Sequence, residues 1–165
     1  MDATVTQRAA HGRAPEDIVA EVEARGERID TPFPGGTIAW RVFGKGRPLV
    51  LLHGGFGSWT HWIRNVDFLA QHYRVFAADM AGYGESSDPA EPLAESIANA
   101  IIPGIRQLAG GDTVTLVGFS FGGVVCGVIG QLAPDLVDSI VFVGAAGLGL
   151  PREPLDLKSW RLTGT

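Results

Sequence analysis

Cysteine is almost absent from this sequence, with Cys126 the single one among 165 residues. One cysteine cannot form an intramolecular disulfide, so the fold does not call for an oxidising compartment. The N-terminal residues also lack the apolar stretch of a secretory signal. Both absences favour a cytoplasmic location.

Runs of basic residues are missing as well. The chain has 13 Lys and Arg against 18 Asp and Glu, a formal net charge of -5 and a pI near 5.3. No cluster of positive charge could follow a phosphate backbone. Nucleic acid is therefore not an expected partner.

An uninterrupted membrane-spanning segment is also lacking. The stretch from Thr113 to Pro134 carries no charge and is long enough to cross a bilayer as one helix. Five glycines divide it, and Ser120 separates a β-branched half from a small-residue half. This pattern favours a buried strand followed by a buried helix, so no membrane association is expected.

Strand and helix patterns alternate along the rest of the chain, whose 45% hydrophobic content is typical of one globular domain. Residues 27–44 predict two strands joined by a Pro-Gly-Gly turn, and the apolar run Leu49–Leu52 predicts a strand buried on both faces. We then expect a helix at 59–72, a strand at 74–78, a helix at 92–108, a strand at 113–119, a helix at 121–132 and a strand at 139–143. The predicted fold class is α/β: a doubly wound, mostly parallel sheet with an N-terminal antiparallel hairpin.

A G-x-S-x-G pattern joins the predicted strand at 113–119 to the helix after it. Gly118 and Gly122 are expected to flank a nucleophile elbow, a turn too crowded for a Cβ on either side of Ser120. The start of the helix carries partial positive charge, and the N–H of Phe121 is expected to face an oxyanion there. Ser120 is the candidate catalytic nucleophile. The alternative is a glycine-rich turn with an inert serine.

A second glycine loop, His53-Gly54-Gly55-Phe56-Gly57, follows the strand at 49–52. The N–H of Gly55 or Phe56 is the candidate second donor of an oxyanion hole. His53 is expected to hold the loop by hydrogen bonds rather than to act as a general base. Asp79, at the end of the next strand, is expected to fix its own turn.

Three motifs together, LVLLHGGFG, ADMAGYGES and VGFSFGG, resemble the N-terminal two-thirds of an α/β-hydrolase. The family includes esterases, proline iminopeptidase-like enzymes and meta-cleavage-product hydrolases. The resemblance covers roughly residues 28–148 and implies that Ser120 is the nucleophile, with the N–H groups of Phe121 and of Gly55 or Phe56 in the oxyanion hole. It implies a small acyl or ester substrate, or an activated C–C bond, and no metal or other cofactor.

The histidine and the acid of the family's triad are not found where the resemblance places them. The triad order is serine, acid, histidine, yet all four histidines precede Ser120: His11, His53, His61 and His72. The strand ending at Val143 is followed by Gly144 without a carboxylate, and no later acid lies at an expected strand end: Asp135, Asp138, Glu153 and Asp156.

These absences predict a hydrolase that is incomplete at its C-terminus and nearly inactive alone. The expected organisation is a polar tail with a short helical turn at 1–26, an incomplete core at 27–150 and the start of a lid-like segment at 151–165. The last strand would be an exposed apolar edge, open to self-association or to a complementing chain.

Two other functions fit parts of the sequence. A non-catalytic, hydrolase-like scaffold or partner subunit would also lack the triad histidine. A dinucleotide-binding domain is suggested by Gly55 and Gly57 between a strand and a helix, with Asp79 at the next strand end. The latter leaves the hairpin and the turn at Ser120 unexplained.

Overall fold

The computed structural model describes residues 14–147, which form six strands, four α-helices and one 3-10 helix. The strands are β1 (Glu27–Phe33), β2 (Gly36–Phe43), β3 (Arg47–Leu52), β4 (Tyr73–Ala78), β5 (Val114–Phe119) and β6 (Val137–Val143). The helices are α1 (Pro15–Glu23), α2 (Val66–Leu69), α3 (Ala94–Ala109) and α4 (Phe121–Leu132), and the 3-10 helix is Trp59–Trp62. Residues 1–13 of the predicted tail at 1–26, the last residues of the predicted core at 27–150 and the whole predicted lid-like segment at 151–165 lie outside the described residues.

The strands form one sheet in the order β1-β2-β4-β3-β5-β6. β1 and β2 form the predicted antiparallel hairpin, and β2 also pairs antiparallel with β4. The strands β4, β3, β5 and β6 are parallel. Leu52, the last residue of β3, pairs with Ala78 on one side and Gly118 on the other. The loops that follow these three strands therefore meet at one edge of the sheet.

Helices cover both faces of this sheet, which confirms the doubly wound fold. α3 and α4 bury one face, in a core that includes Trp40, Ile101 and Leu116. The opposite face is covered by α1, the 3-10 helix and α2, with Trp62 and Val66 packed on the strands. Burial on both faces explains why β3 is an unbroken apolar run.

One predicted element is wrong. The single helix expected at 59–72 is divided into the 3-10 helix and the four-residue helix α2. The Ser58 hydroxyl accepts the N–H of Thr60, and the Trp59 N–H is taken by the Asp79 carboxylate at 2.7 Å. These bonds fix the start of the 3-10 helix. Around the break the backbone closes through i→i−3 bonds, from the Ile63 N–H to the Thr60 carbonyl and from the Asn65 N–H to the Trp62 carbonyl, so the apolar spacing reported which residues face the sheet but not a continuous α-helix.

Candidate functional site

Ser120 occupies a sharp turn between β5 and α4. Its backbone angles are φ 52° and ψ -113°, in a region that side chains rarely adopt. Its N–H donates to the carbonyl of Val143 at 3.0 Å, and its own carbonyl accepts from Ala146 at 3.3 Å. The turn is thus held by the segment that ends β6, which keeps Ser120 in this conformation.

The glycines on either side of Ser120 are required by close backbone contacts. A Cβ on Gly118 would lie 2.5 Å from the carbonyl oxygen of Gly122. A Cβ on Gly122 would lie 2.3 Å from the carbonyl oxygen of Leu52. Both distances are far below a van der Waals contact, so α4 can start this close to β3 and β5 only with glycine at these positions.

The glycine loop after β3 lies beside this turn. A Cβ built on Gly54 would be 3.4 Å from the Cβ of Ser120, and one on Gly55 would be 3.9 Å from the Cβ of Phe121. Phe56 has a positive φ of 56° and a fully exposed ring. The two predicted halves of the site are therefore adjacent in space.

Three backbone donors are available at this junction. Within residues 14–147, none of the loop and turn hydrogen bonds uses the N–H of Gly55, Phe56 or Phe121. Phe121 is the first residue of α4, where the helix dipole adds partial positive charge. Such donors can stabilise negative charge on a bound oxygen.

His53 lies beneath the loop and is completely buried. Its Nδ1 is 2.7 Å from the carbonyl oxygen of Gly54, and its Nε2 accepts the N–H of Met80 at 3.0 Å. Both bonds together require the neutral ring with its proton on Nδ1. Burial also lowers the pKa of His53 below its ordinary value. Because both ring nitrogens are hydrogen-bonded to backbone, His53 holds the glycine loop in place, as predicted.

Asp79 fixes the turn after β4, again as predicted. Its two carboxylate oxygens accept the N–H groups of Trp59, at 2.7 Å, and of Glu85, at 3.0 Å. In a dinucleotide-binding domain the carboxylate at this position would bind a ribose. Here both oxygens of the Asp79 carboxylate are hydrogen-bonded to backbone N–H groups. The geometry at this residue disfavours that alternative.

The structure places His61 at the site, although no pattern in the sequence selected it. Its Nδ1 accepts the N–H of Gly54 at 3.3 Å, and its ring packs edge to face against Phe119 with centroids 5.7 Å apart. The one local signal is Gly57, where a Cβ would lie 2.2 Å from the His61 ring. Such a contact becomes evident only once the loop is folded.

The Ser120 hydroxyl has no side-chain hydrogen-bond partner in the part of the chain described. Among residues 14–147, no histidine or carboxylate is hydrogen-bonded to the Ser120 hydroxyl. Asp135 precedes β6 and pairs with Arg106, and Asp138 near the start of that strand pairs with Arg47. Both carboxylates therefore lie at the end of the sheet opposite Ser120. His11, Glu153 and Asp156 are outside the described residues.

Cys126 is buried in α4. Burial raises the pKa of its thiol to about 12, so Cys126 is a poor nucleophile.

None of the helices within residues 14–147 has both the length and the apolar character to cross a membrane.

A parallel α/β sheet with a strained serine turn beside a glycine loop defines a class of hydrolase-like folds. A family model for the alpha/beta hydrolase fold matches residues 47–164. This chain therefore belongs to the α/β-hydrolase family, as the three sequence motifs predicted.

Named relatives include hydrolases of two kinds. The chain is 35% identical over 109 residues to the 2-hydroxy-6-oxo-6-(2'-aminophenyl)hexa-2,4-dienoic acid hydrolase of Metapseudomonas resinovorans, covering 64% of this chain and 38% of that protein. It is 34% identical over 108 residues to the pimeloyl-acyl-carrier-protein methyl ester esterase of Vibrio campbellii, covering 65% of this chain and 40% of the esterase. The chain thus spans about two fifths of the length of these relatives.

Solved structures show the same partial correspondence. A serine hydrolase involved in carbazole degradation superposes with a TM-score of 0.69 and 28% identity, over 78% of this chain and 51% of that one. The epoxide hydrolase CorEH superposes with a TM-score of 0.68 and 28% identity, over 76% and 47% of the two chains.

Proposed function

We propose that this chain carries the nucleophile and oxyanion hole of a serine hydrolase acting on a carboxylic ester or a related acyl or C–C bond. The observation that carries the proposal is the strained backbone of Ser120, at φ 52°, between β5 and α4. Strain of this kind persists where the surroundings enforce it, and it is concentrated at functional sites. An inert glycine-rich turn would have no need of it.

In the proposed reaction the Ser120 Oγ attacks a substrate carbonyl. The negative charge that develops on the carbonyl oxygen is stabilised by the N–H of Phe121 and by that of Gly55 or Phe56. These donors are unused by the loop and turn bonds of the described residues. Removing one such donor typically costs about 10²–10³ in kcat.

The substrate class is supported by chemistry that the relatives share. One is named for a methyl ester and another for an oxo-dienoic acid, so both named substrates contain a carbonyl group. The net charge of -5 and the single buried cysteine agree with a small-molecule hydrolase of the cytoplasm rather than a nucleic-acid-binding protein.

We further propose that the chain alone is nearly inactive. Within the described residues the Ser120 hydroxyl has no imidazole partner to take its proton, and a serine without a base is a weak nucleophile. Losing the histidine of a catalytic triad costs on the order of 10⁶ in kcat. The oxyanion-hole donors and substrate binding alone still give a rate enhancement of about 10³–10⁴ over the uncatalysed reaction.

A fluorophosphonate probe tests both statements, with the labelled residue identified by mass spectrometry. We expect slow, stoichiometric labelling of Ser120 that is lost in Ser120→Ala and retained in Ser139→Ala, an exposed serine on β6. Labelling of the folded chain at other serines only would refute the role of Ser120. Rapid labelling would show that a base is present and would refute the predicted inactivity.

A hydrolase-like partner subunit is the second candidate function, and one observation favours it. The edge strand β6 leaves Val141, Phe142 and Val143 exposed by 48%, 43% and 41%. An edge of this kind can pair with another chain. Association in sedimentation velocity that Val141→Lys reduces would support this candidate, and a chain that stays monomeric would count against pairing at this edge.

A further inference from the structure

Both polar groups of the Gly54 backbone are held by histidine rings. Its N–H donates to Nδ1 of His61 at 3.3 Å, and its carbonyl oxygen lies 2.7 Å from Nδ1 of His53. The same carbonyl accepts the N–H of Gly57 at 3.3 Å. Gly54 is therefore fixed immediately before the two residues whose N–H groups are free.

His61 is itself held firmly in this position. Its ring lies edge to face with His53, at 5.9 Å between centroids, and with Phe119, at 5.7 Å. Its backbone N–H donates to the carbonyl of Ser58 within the 3-10 helix. A side chain on Gly57 would occupy the space of the ring. The ring thus connects the glycine loop to the strand that carries the serine turn.

We propose that His61 is a positioning residue for the oxyanion hole. The inference rests on the proposed function and deepens it. His61 in its neutral form anchors the Gly54 N–H, which leaves the N–H groups of Gly55 and Phe56 to face the oxygen bound at Ser120. His61 itself does not contact the reacting atoms in this role.

The hydrogen bond determines which form of the ring can act. To accept at Nδ1, the neutral ring must carry its proton on Nε2. A protonated ring has an N–H at both nitrogens, and its Nδ1–H would face the Gly54 N–H, so the anchor is lost. The titratable groups on this side are His53 and, around that ring, Asp79 and Tyr83.

Two substitutions separate the hydrogen bond from the packing. His61→Asn keeps an acceptor oxygen near the position of Nδ1, whereas His61→Leu fills similar space without an acceptor. His72→Leu is the matched control, because His72 is an exposed histidine that packs on Phe68 away from the site. NMR gives the exchange rate of the Gly54 amide, and fluorophosphonate gives the rate of Ser120 labelling.

In His61→Leu we expect the Gly54 amide to exchange about five- to tenfold faster and Ser120 to be labelled about five- to tenfold more slowly. His61→Asn should stay within about twofold of the original chain in both, and His72→Leu should change neither.

Equal losses in His61→Asn and His61→Leu would show that only packing matters and would overturn the proposal. So would a Gly54 exchange rate that the leucine substitution leaves unchanged. If Gly54 responds as expected while Ser120 is never labelled in any variant, the proposed function fails and so does any role in an oxyanion hole. Normal labelling in every variant would leave the proposed function standing and refute the role of His61.

Discussion

The N–H of Ser120 donates to the carbonyl of Val143 at 3.0 Å, so the serine turn is tied directly to the end of the edge strand β6. The turn also places Gly123 against Ala145, because a Cβ on that glycine would lie 2.4 Å from the alanine Cβ. The conformation of the candidate nucleophile therefore depends on a strand that has one neighbour among the strands of residues 14–147.

Self-association through β6 is the first expected outcome. Residues 139–143 contain no charge, and among the described strands β6 pairs with β5 alone, so we propose that two copies pair at this edge. Val141→Lys should shift the chain toward monomer in sedimentation velocity over micromolar concentrations. Leu93→Lys, which changes an exposed apolar residue elsewhere, should not. A wild-type chain that stays monomeric would contradict this expectation.

Glycine substitutions in α4 should have opposite effects on stability. Gly122→Ala places a methyl group 2.3 Å from a backbone oxygen and should lower the free energy of unfolding by about 3 kcal/mol. Gly127→Ala lies in the same helix with nothing within 4 Å, and should raise it by about 0.5–1 kcal/mol. Urea unfolding measures both. Equal effects would mean that the helix does not approach β3 as described.

Asp79→Ala should be strongly destabilising, because it leaves two backbone donors without their charged acceptor. A loss of about 3 kcal/mol in urea unfolding is expected. The exposed Asp88, changed to Ala, should alter the same quantity by less than about 0.5 kcal/mol. If the two variants are equally stable, Asp79 does not brace the turn.

Acidification should destabilise the fold through His53. Its pKa in the folded chain is lower than the unfolded value of 6.5. The unfolded state therefore binds more protons below pH 6.5. The contribution of His53 to the free energy of unfolding has its full value above that pH and falls as the pH drops toward the folded pKa. The slope for one proton is at most about 1.4 kcal/mol per pH unit.

Urea unfolding between pH 8 and pH 5 measures this slope, in a window above the range in which ordinary carboxylates titrate. His53→Gln retains an acceptor near Nε2 but cannot titrate, so its slope should be smaller. His72→Gln removes an exposed histidine and should leave the slope unchanged. An unchanged slope in His53→Gln would assign the pH dependence to other groups.

Most of the sheet was predictable from the sequence because strand burial leaves a direct pattern. The unbroken apolar run of β3 and the alternation of Ile38, Trp40 and Val42 each correspond to an observed strand. The helix at Phe121–Leu132 matches its prediction at both ends, since Ser120 and the glycines beside it mark where one element becomes the other.

What could not be predicted depends on contacts between distant residues. Trp59 donates its N–H to Asp79, 20 positions later, so a distant carboxylate holds the first residue of the 3-10 helix. The role of His61 likewise depends on how the glycine loop folds back over its ring. Neither contact leaves a periodic pattern in the sequence, because each involves one side chain and one backbone group.

The order of the strands in the sheet also affects how the site is assembled. β3 lies between β4 and β5, and Ser120 needs the carbonyl at the end of β6. In a chain that leaves the ribosome N-terminus first, the serine emerges before its hydrogen-bond acceptor. A nascent chain ending before Val143 would therefore display the G-x-S-x-G segment without the support that holds it, and the site would mature only late in synthesis.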